Sequence, residues 1–226
     1  IGHIAGGFHD AGPTRLEAAG RRGLPQVVVP GCVDFMVCGP RDEMPAHWRG
    51  RPSYFHNPEF TLVRATHDEQ LEAARQIAAK LNAARGRVVL MVPTRGLSVP
   101  NCEVDQLGAP GAFWDPPLDA AFRLALRRDL DSRIEYRELD AHVNDDSFAL
   151  AVLETASSLN LLLYVSLISS IFFPWGLADA DAAPLDMFRG FVFYVGKLGV
   201  SACLLAVFET SIAKMRVFRV PQFIGT

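Results

Sequence analysis

The sequence has little cysteine and no arrangement that would make a framework of it. Cys32, Cys38, Cys102 and Cys203 form no CxxC pair and have no histidine at a zinc-ligand spacing. A disulfide scaffold and a structural zinc site are therefore excluded, no metal is expected, and free thiols in a reducing compartment fit. Positive charge is not in excess either, with 22 Lys+Arg against 25 Asp+Glu and a net charge of -3. A nucleic-acid groove has no electrostatic support, and no nucleic-acid partner is expected. No GxxxxGK[ST] loop occurs, and no GxGxxG follows the first strand. The chain opens Ile1-Gly2-His3 without an initiator Met or a signal run, so the expectation is a fragment.

The absence with most consequence is local. Of the 22 basic residues only Arg189, Lys197, Lys214, Arg216 and Arg219 lie beyond Thr155, and of the 25 acidic ones only Asp179, Asp181, Asp186 and Glu209. From Ala156 to Trp175 there is no formal charge at all. A length of 226 residues allows one or two domains, and this break divides the chain into residues 1–154 and 155–226.

What is present in the first part is an alternation of short apolar runs and helical patterns. "GHIAGG" reads as a brief strand ending at Gly6-Gly7, "PTRLEAAGRRG" as a helix with Pro13 near its first turn and Gly23 past its end, and "PQVVVPG" as a buried strand. In "THDEQLEAARQIAAKLNAARG", Thr66 and Glu69 form a capping box. Leu71, Ala74, Ile77, Ala78 and Leu81 make one apolar stripe, and Gly86 offers a left-handed stop. "RVVLMVP" follows as a strand covered on both faces. "DPPLDAAFRLALRRDL" is a helix with Asp115 as N-cap and Pro116 in its first turn, and "RIEYREL" is another strand. Strand and helix in alternation predict an α/β fold, Rossmann-like and layered, with a mainly parallel sheet.

Ligands of open α/β sheets bind beyond the carboxyl ends of the strands. The predicted exits are Gly6 to Gly12, Pro30 to Phe35, Pro93 to Ser98 and Asp140 to Asp145. They offer Gly6, Gly7, Asp10, Asp34, Arg95, Ser98, His142, Asn144 and Asp145 as ligand-binding candidates, with Thr94 to Ser98 suited to cradling an anion. Gly and Asp in such loops are also ordinary turn and cap residues, and Asp145 ahead of an apolar helix reads as an N-cap. The six histidines are scattered, and no two can be paired from sequence. Asp119 and the run Arg41 to Glu43 are candidates for acid–base work or for solvated surface, and no catalytic residue is assigned.

The strings "GGFHDAGPTRLEAAGRRGLPQVVVPGCVDFMVCGPRDEMPAHW", "YFHNPEFTLVRATHDE", "VPTRGLSVPN", "GAPGAFWDPPLDAAF" and "HVNDDSFA" together resemble the C-terminal domain of an uncharacterised family that includes the tobamovirus-resistance protein of tomato. The resemblance covers residues 1 to 153. It implies a longer protein whose separate N-terminal domain is associated with ATP, so no cofactor is expected here and ATP only with that missing domain. Its motifs add Gly39, Pro40, Arg41, Asn57, Pro58, Arg64 and Asp115 to the candidates for a polar cleft. The α/β domain is expected in the cytoplasm, with a homo-oligomer among its candidate states.

A bilayer core of about 30 Å needs about 20 apolar residues in helix, so 156–175 and 188–208 are read as two membrane spans and lipid as a partner. Lys214, Arg216 and Arg219 after the second span place the tail on the cytoplasmic side of the inner membrane. Lys197 within a span should face other helices, water or an acid. Glu209 is either a solvated helix end or part of a proton path or subunit contact. "ETSIAKMRVFRVP" resembles the end of the membrane subunit of formate-hydrogenlyase-type hydrogenases, relatives of the quinone-chamber subunit of complex I. That likeness, over residues 157–225, implies hydrogenase or complex-I-like partners and electron-transfer-coupled ion movement, with Glu209, Lys214, Arg216 and Arg219 as the matching functional positions beside Lys197, which its place within a span makes a candidate. Three readings stay open: a cytoplasmic binding or enzymatic module tethered by two helices, a fragment of a hydrogenase-like membrane subunit, or a chimeric gene joined near Glu154.

Overall fold

Every residue of Val88–Pro93 is buried, and a strand of that kind needs cover on both faces. A computed structural model gives it that place. The structure describes residues 1–105, 107–176 and 183–223, with side chains throughout except at 162–163 and 208–223. The chain separates into two units, Ile1–Ser157 and Ser158–Thr226.

In the first unit, α1 (Gly2–Ala5) and α2 (Glu17–Arg21) precede β1 (Gln26–Val28) and β2 (Phe35–Cys38). After two short 3-10 turns come β3 (Ser53–Asn57), β4 (Phe60–Arg64) and α3 (His67–Asn82). Then follow β5 (Val88–Pro93), α4 (Pro116–Asp129), β6 (Glu135–Leu139) and the start of α5 (Asp146–Phe172). Strands β1, β5 and β6 form a parallel sheet in that order, with Val28 opposite Leu90 and Leu90 opposite Tyr136. Strands β2, β4 and β3 form an antiparallel sheet, with Val37 opposite Leu62 and Tyr54 opposite Leu62. The α/β class with a parallel sheet holds. The sheet is not mainly parallel across the domain, because half the strands belong to the second sheet.

Alternation along β5 sends Val88, Leu90 and Val92 to one face, where they meet Ala74 and Leu81 of α3 and Phe122 and Leu126 of α4. Phe122, Leu126 and Leu81 are fully buried, which stabilises the fold by about 1.5–3 kcal/mol each relative to exposure. The expected caps are in place. The Thr66 hydroxyl accepts from the Glu69 N–H at 3.3 Å while Glu69 Oε2 accepts from the Thr66 N–H at 2.7 Å. The Asp115 carboxylate accepts from the Leu118 N–H at 3.2 Å, ahead of Pro116.

Three local expectations are corrected. "GHIAGG" is one helical turn, α1, closed by Gly6 in the left-handed conformation at φ 76, so Gly6 to Gly12 is no strand exit. Helix α3 ends at Ala83 in right-handed conformation, not at Gly86. Gly86 serves close approach instead, since a Cβ there would lie 2.4 Å from the Leu24 carbonyl oxygen. Finally, β2, β3 and β4 occupy a region with no strand expected beyond its entry loop. Asn57 makes the β3–β4 hairpin, its Oδ1 accepting from the N–H groups of Glu59 and Phe60 at 2.9 and 2.8 Å.

The second unit holds the rest of α5 and α6 (Pro184–Phe223). Asp146–Phe172 and Pro184–Val207 are each long and apolar enough to cross a membrane. The first therefore starts ten residues ahead of Ala156. Large apolar side chains on both helices, among them Leu167, Ile171, Phe188, Phe191 and Leu204, are exposed. Ser166 Oγ and Tyr194 Oη are hydrogen-bonded at 2.7 Å. Lys197 reaches the carbonyls just past the end of α5, donating to Phe173 O at 2.5 Å and to Trp175 O, with its ammonium 4.8 Å from the Trp175 ring centroid. A cation there complements the negative end of the α5 dipole. The side chains of Glu209, Lys214, Arg216 and Arg219 lie outside the described residues.

Candidate functional site

At the carboxyl ends of the parallel strands, three chain exits meet the end of β4. The exit of β1 brings Asp34, that of β5 brings Ser98 and Asn101, that of β6 brings His142, and β4 ends at Arg64. Helices α3 and α4 add Gln70 and Asp119. Asp34, Gln70 and Asn101 are wholly buried, Ser98 and Asp119 nearly so, and Arg64 is 6% exposed.

One guanidinium lies between two buried carboxylates. Arg64 Nη1 is 3.3 Å from Asp34 Oδ2 and donates to the Asp34 carbonyl at 3.2 Å, while Nη2 is 3.8 Å from Asp119 Oδ1. Ser98 Oγ donates to Asp34 Oδ2 at 2.6 Å. Gln70 Nε2 donates to Asp119 Oδ1 at 3.3 Å and Asn101 Nδ2 to Asp119 Oδ2 at 2.9 Å. Burial pushes both carboxyls above the usual aspartate range, against the opposing pull of Ser98 and Arg64 on Asp34 and of Asn101, Arg64 and Gln70 on Asp119. Asp34 Oδ1, Arg64 Nη2, Gln70 Oε1 and Asn101 Oδ1 have no hydrogen-bond partner among the described residues.

His142 ties the exits together. Its Nε2 lies 2.9 Å from Ser98 O and 3.1 Å from Asn101 O, both acceptors, so Nε2 carries hydrogen and Nδ1 accepts from the Asn144 N–H at 3.1 Å. Asp145 Oδ2 accepts from the His142 N–H at 2.7 Å, turning back on its own loop. Gly96 makes the crossing of these loops feasible. It sits at φ 137, and a Cβ there would be 1.9 Å from Asn101 O and 2.5 Å from His142 Cδ2.

Beside this network, on the side of Gly31 to Val33 and Val99-Pro100, opens a cavity of about 740 Å³. Its far walls include Phe35, Phe60 and Leu62 of the antiparallel sheet and Ile77 of α3. Cys32 lines it in the left-handed region at φ 56, its N–H donating to Leu97 O at 2.8 Å. Burial first, and the Asp34 charge second, push the Cys32 thiol up. Among the described residues no group of three or more His, Cys, Asp or Glu is placed to hold a metal ion.

Residues 1–160 match the C-terminal domain of UPF0261, an uncharacterised protein family. The chain belongs to this family. A UPF0261 protein of Clostridium tetani is 34% identical over 150 residues, covering 66% of this chain and 36% of that protein. One from Brucella melitensis biotype 1 is 33% identical over 145 residues, covering 64% and 33%. The ToMV resistance protein Tm-1(GCR237) of Solanum lycopersicum is 30% identical over 156 residues, covering 68% of this chain and 20% of its own length. The matched part thus spans a third or so of the bacterial UPF0261 relatives. The family match stops at residue 160 and does not reach the string from Glu209 to Pro221.

Within this UPF0261 domain the expected site residues divide. Asp34, Arg64 and Ser98 come together in the buried network, with His142 against the Ser98 carbonyl and Asn144 and Asp145 shaping the His142 loop. Gly7 and Asn57 line the cavity. Gly6 ends α1, Asp115 caps α4, and Arg41 is exposed in a 3-10 turn. Asp10 is exposed and accepts from the Gly12 N–H at 2.7 Å, with His3 at 3.1 Å. The Arg95 guanidinium is held by Asp140 through two contacts of 2.7 Å, and the Thr94 hydroxyl donates to Leu139 O at 3.1 Å. Sequence reasoning missed Gln70 and Asn101. Gln70 was findable as the polar member of a buried helical face with Ala73 and Ala74.

Proposed function

We propose that residues 1–157 form a small-molecule-binding module whose ligand occupies the cavity at the carboxyl ends of β1 and β5. The cavity itself carries this reading. It has the volume of ordinary ligand pockets, a mainly apolar lining, and the place in the fold where open α/β sheets receive ligands. The buried network behind it fixes the exits of β1 and β5 that form its near wall. Thermal-shift screening of a metabolite library against the full chain in nanodiscs tests the proposal. Hits should lose their effect once Cys32 is alkylated in a Cys203→Ser background. A screen without hits, or hits indifferent to that alkylation, refutes it.

A second reading concerns residues 158–226, and the outward-facing apolar side chains of two long helices favour it. They form a membrane hairpin that tethers the domain to the cytoplasmic face of the inner membrane. Release of the chain by alkaline carbonate would overturn this. Partnership with hydrogenase-like subunits is the finer form of the same reading, and co-purification with such subunits decides it.

A further inference from the structure

We infer that the cavity ligand is an organic carboxylate with an aromatic or acyl body, anchored at the cavity mouth by Arg15. This rests on the cavity reading above and adds the ligand's charge and chemical class. The first observation is the composition of the wall. His3, His9, Arg15, His56 and Lys80 line the cavity, and among the lining residues there is no Asp or Glu. The nearby carboxylates are committed elsewhere. Asp10 is bound to His3 and to the Gly12 N–H, and Glu17 pairs with Arg21 at 3.3 Å and Lys80 at 3.6 Å.

The second observation separates the roles of the two cations. The Lys80 ammonium donates to Pro13 O and, at 3.0 Å, to Arg15 O, so it clamps the segment that presents Arg15 and is itself countered by Glu17. The Arg15 side chain is exposed and has no hydrogen bond or ion pair with any described residue. Among those residues it is the cavity's one uncommitted Arg or Lys side chain, and a guanidinium offers a planar pair of donors matched to a carboxylate. Asn57 adds a neutral donor, because its Oδ1 is used in the hairpin turn and its amide nitrogen is not. Behind these donors the surface turns apolar, with Phe35, Phe60 and Leu62 to receive a ring or a short acyl chain. Such a wall discriminates against cations, which find no carboxylate, and against small inorganic anions, which leave the apolar part empty.

The test uses the full chain in nanodiscs, carrying Cys203→Ser, and reads protection of Cys32 from a water-soluble maleimide by peptide mass spectrometry. Cys102 serves as internal reference. The probes are 2-naphthoate and its uncharged counterpart 2-naphthamide. Naphthoate should protect Cys32 at a concentration at least tenfold lower than naphthamide. Arg15→Gln should erase that advantage and leave protection by naphthamide unchanged, and Arg15→Lys should restore part of it. Equal protection by both probes, or an advantage that survives Arg15→Gln, overturns the carboxylate inference and leaves the cavity reading standing. Failure of both probes to protect at millimolar concentration overturns both.

Discussion

Replacing Arg64 with leucine removes the single cation between Asp34 and Asp119 and leaves two buried acids facing each other. Breaking a buried ion pair by deleting one partner costs about 3–5 kcal/mol, because the remaining charge stays desolvated. The acids can escape by protonating, and that sets the ceiling. At pH 7, neutralising a carboxyl whose ordinary value is 3.8 costs about 4 kcal/mol at roughly 1.4 kcal/mol per pH unit. The sign follows from the direction of the shifts. Both folded-state values lie above the unfolded one, so the contribution of these groups is fully present below about pH 4 and is lost as pH rises through the folded values. In Arg64→Leu the folded state holds up to two extra protons, which gives a fall of up to about 2.7 kcal/mol per pH unit. With Arg64 present its charge pulls against both shifts, so the fall spans a narrower range of pH. Urea unfolding of the full chain in nanodiscs, followed by the fluorescence of Trp48 and Trp114 in a Trp175→Phe background, measures both slopes. The variant should be about 3–5 kcal/mol less stable at pH 7 and regain most of that by pH 5. Asp119→Asn added to Arg64→Leu should recover about half the loss at pH 7 and lower the slope to about one proton. Equal losses at pH 5 and pH 7 would refute the electrostatic account and assign the loss to packing over Phe113, whose ring centroid lies 5.9 Å from the guanidinium carbon.

Gly96→Ala should lower stability by at least about 3 kcal/mol, the upper end for strained backbone, since the added Cβ meets Asn101 O at 1.9 Å. A melting temperature unchanged from that of the parent chain would contradict the loop crossing. Thr66→Ala, which removes one half of the α3 capping box, should cost about 1 kcal/mol in the urea midpoint, and a neutral result would deny the cap. Lys197→Leu withdraws the cation from the carbonyls of Phe173 and Trp175 just past α5 and should weaken that helix end by about 1 kcal/mol. Faster amide exchange over residues 173–176 in nanodiscs is the expected reading, and unaltered exchange would show that the ammonium does not hold the turn.

The elements that could be read from sequence are those in which period and terminus agree. α3 combines an apolar stripe with Thr66 and Glu69 at capping distance, α4 has Asp115 followed by Pro116, and β5 is an unbroken apolar run of strand length. In each case two independent physical signals name the same boundary. Strands β2, β3 and β4 lack such agreement. They are only four and five residues long and lie among Pro30, Gly31, Gly39, Pro40, Pro45, Gly50, Pro52 and Pro58, residues that punctuate loops as readily as hairpins. What makes them strands is pairing with each other, a nonlocal energy that no single segment displays. "GHIAGG" fails differently. Gly2, His3, Ile4 and Ala5 ahead of two glycines satisfy both a brief strand and one helical turn, and Gly6 at φ 76 decides for the turn.

The site divides along the same line. Loops beyond parallel strands were legible because topology alone brings them together, and Asp34, Ser98 and His142 do converge from three separate exits. Among the candidate cations, topology alone singles out Arg95, which stands on an exit loop, while Arg64 enters only through the family motif. Yet Arg95 is surface-exposed and neutralised by Asp140, whereas Arg64 arrives from β4 and is the group that meets both buried acids. The unforeseen antiparallel sheet therefore does more than cover the parallel one. It delivers the charge without which two carboxylates could not be buried at the strand ends, and its Phe35, Phe60 and Leu62 form the apolar wall of the cavity. Loss of β4 pairing would on this account expose the network and open the cavity together, which couples the stability of the polar cluster to the shape of the binding space.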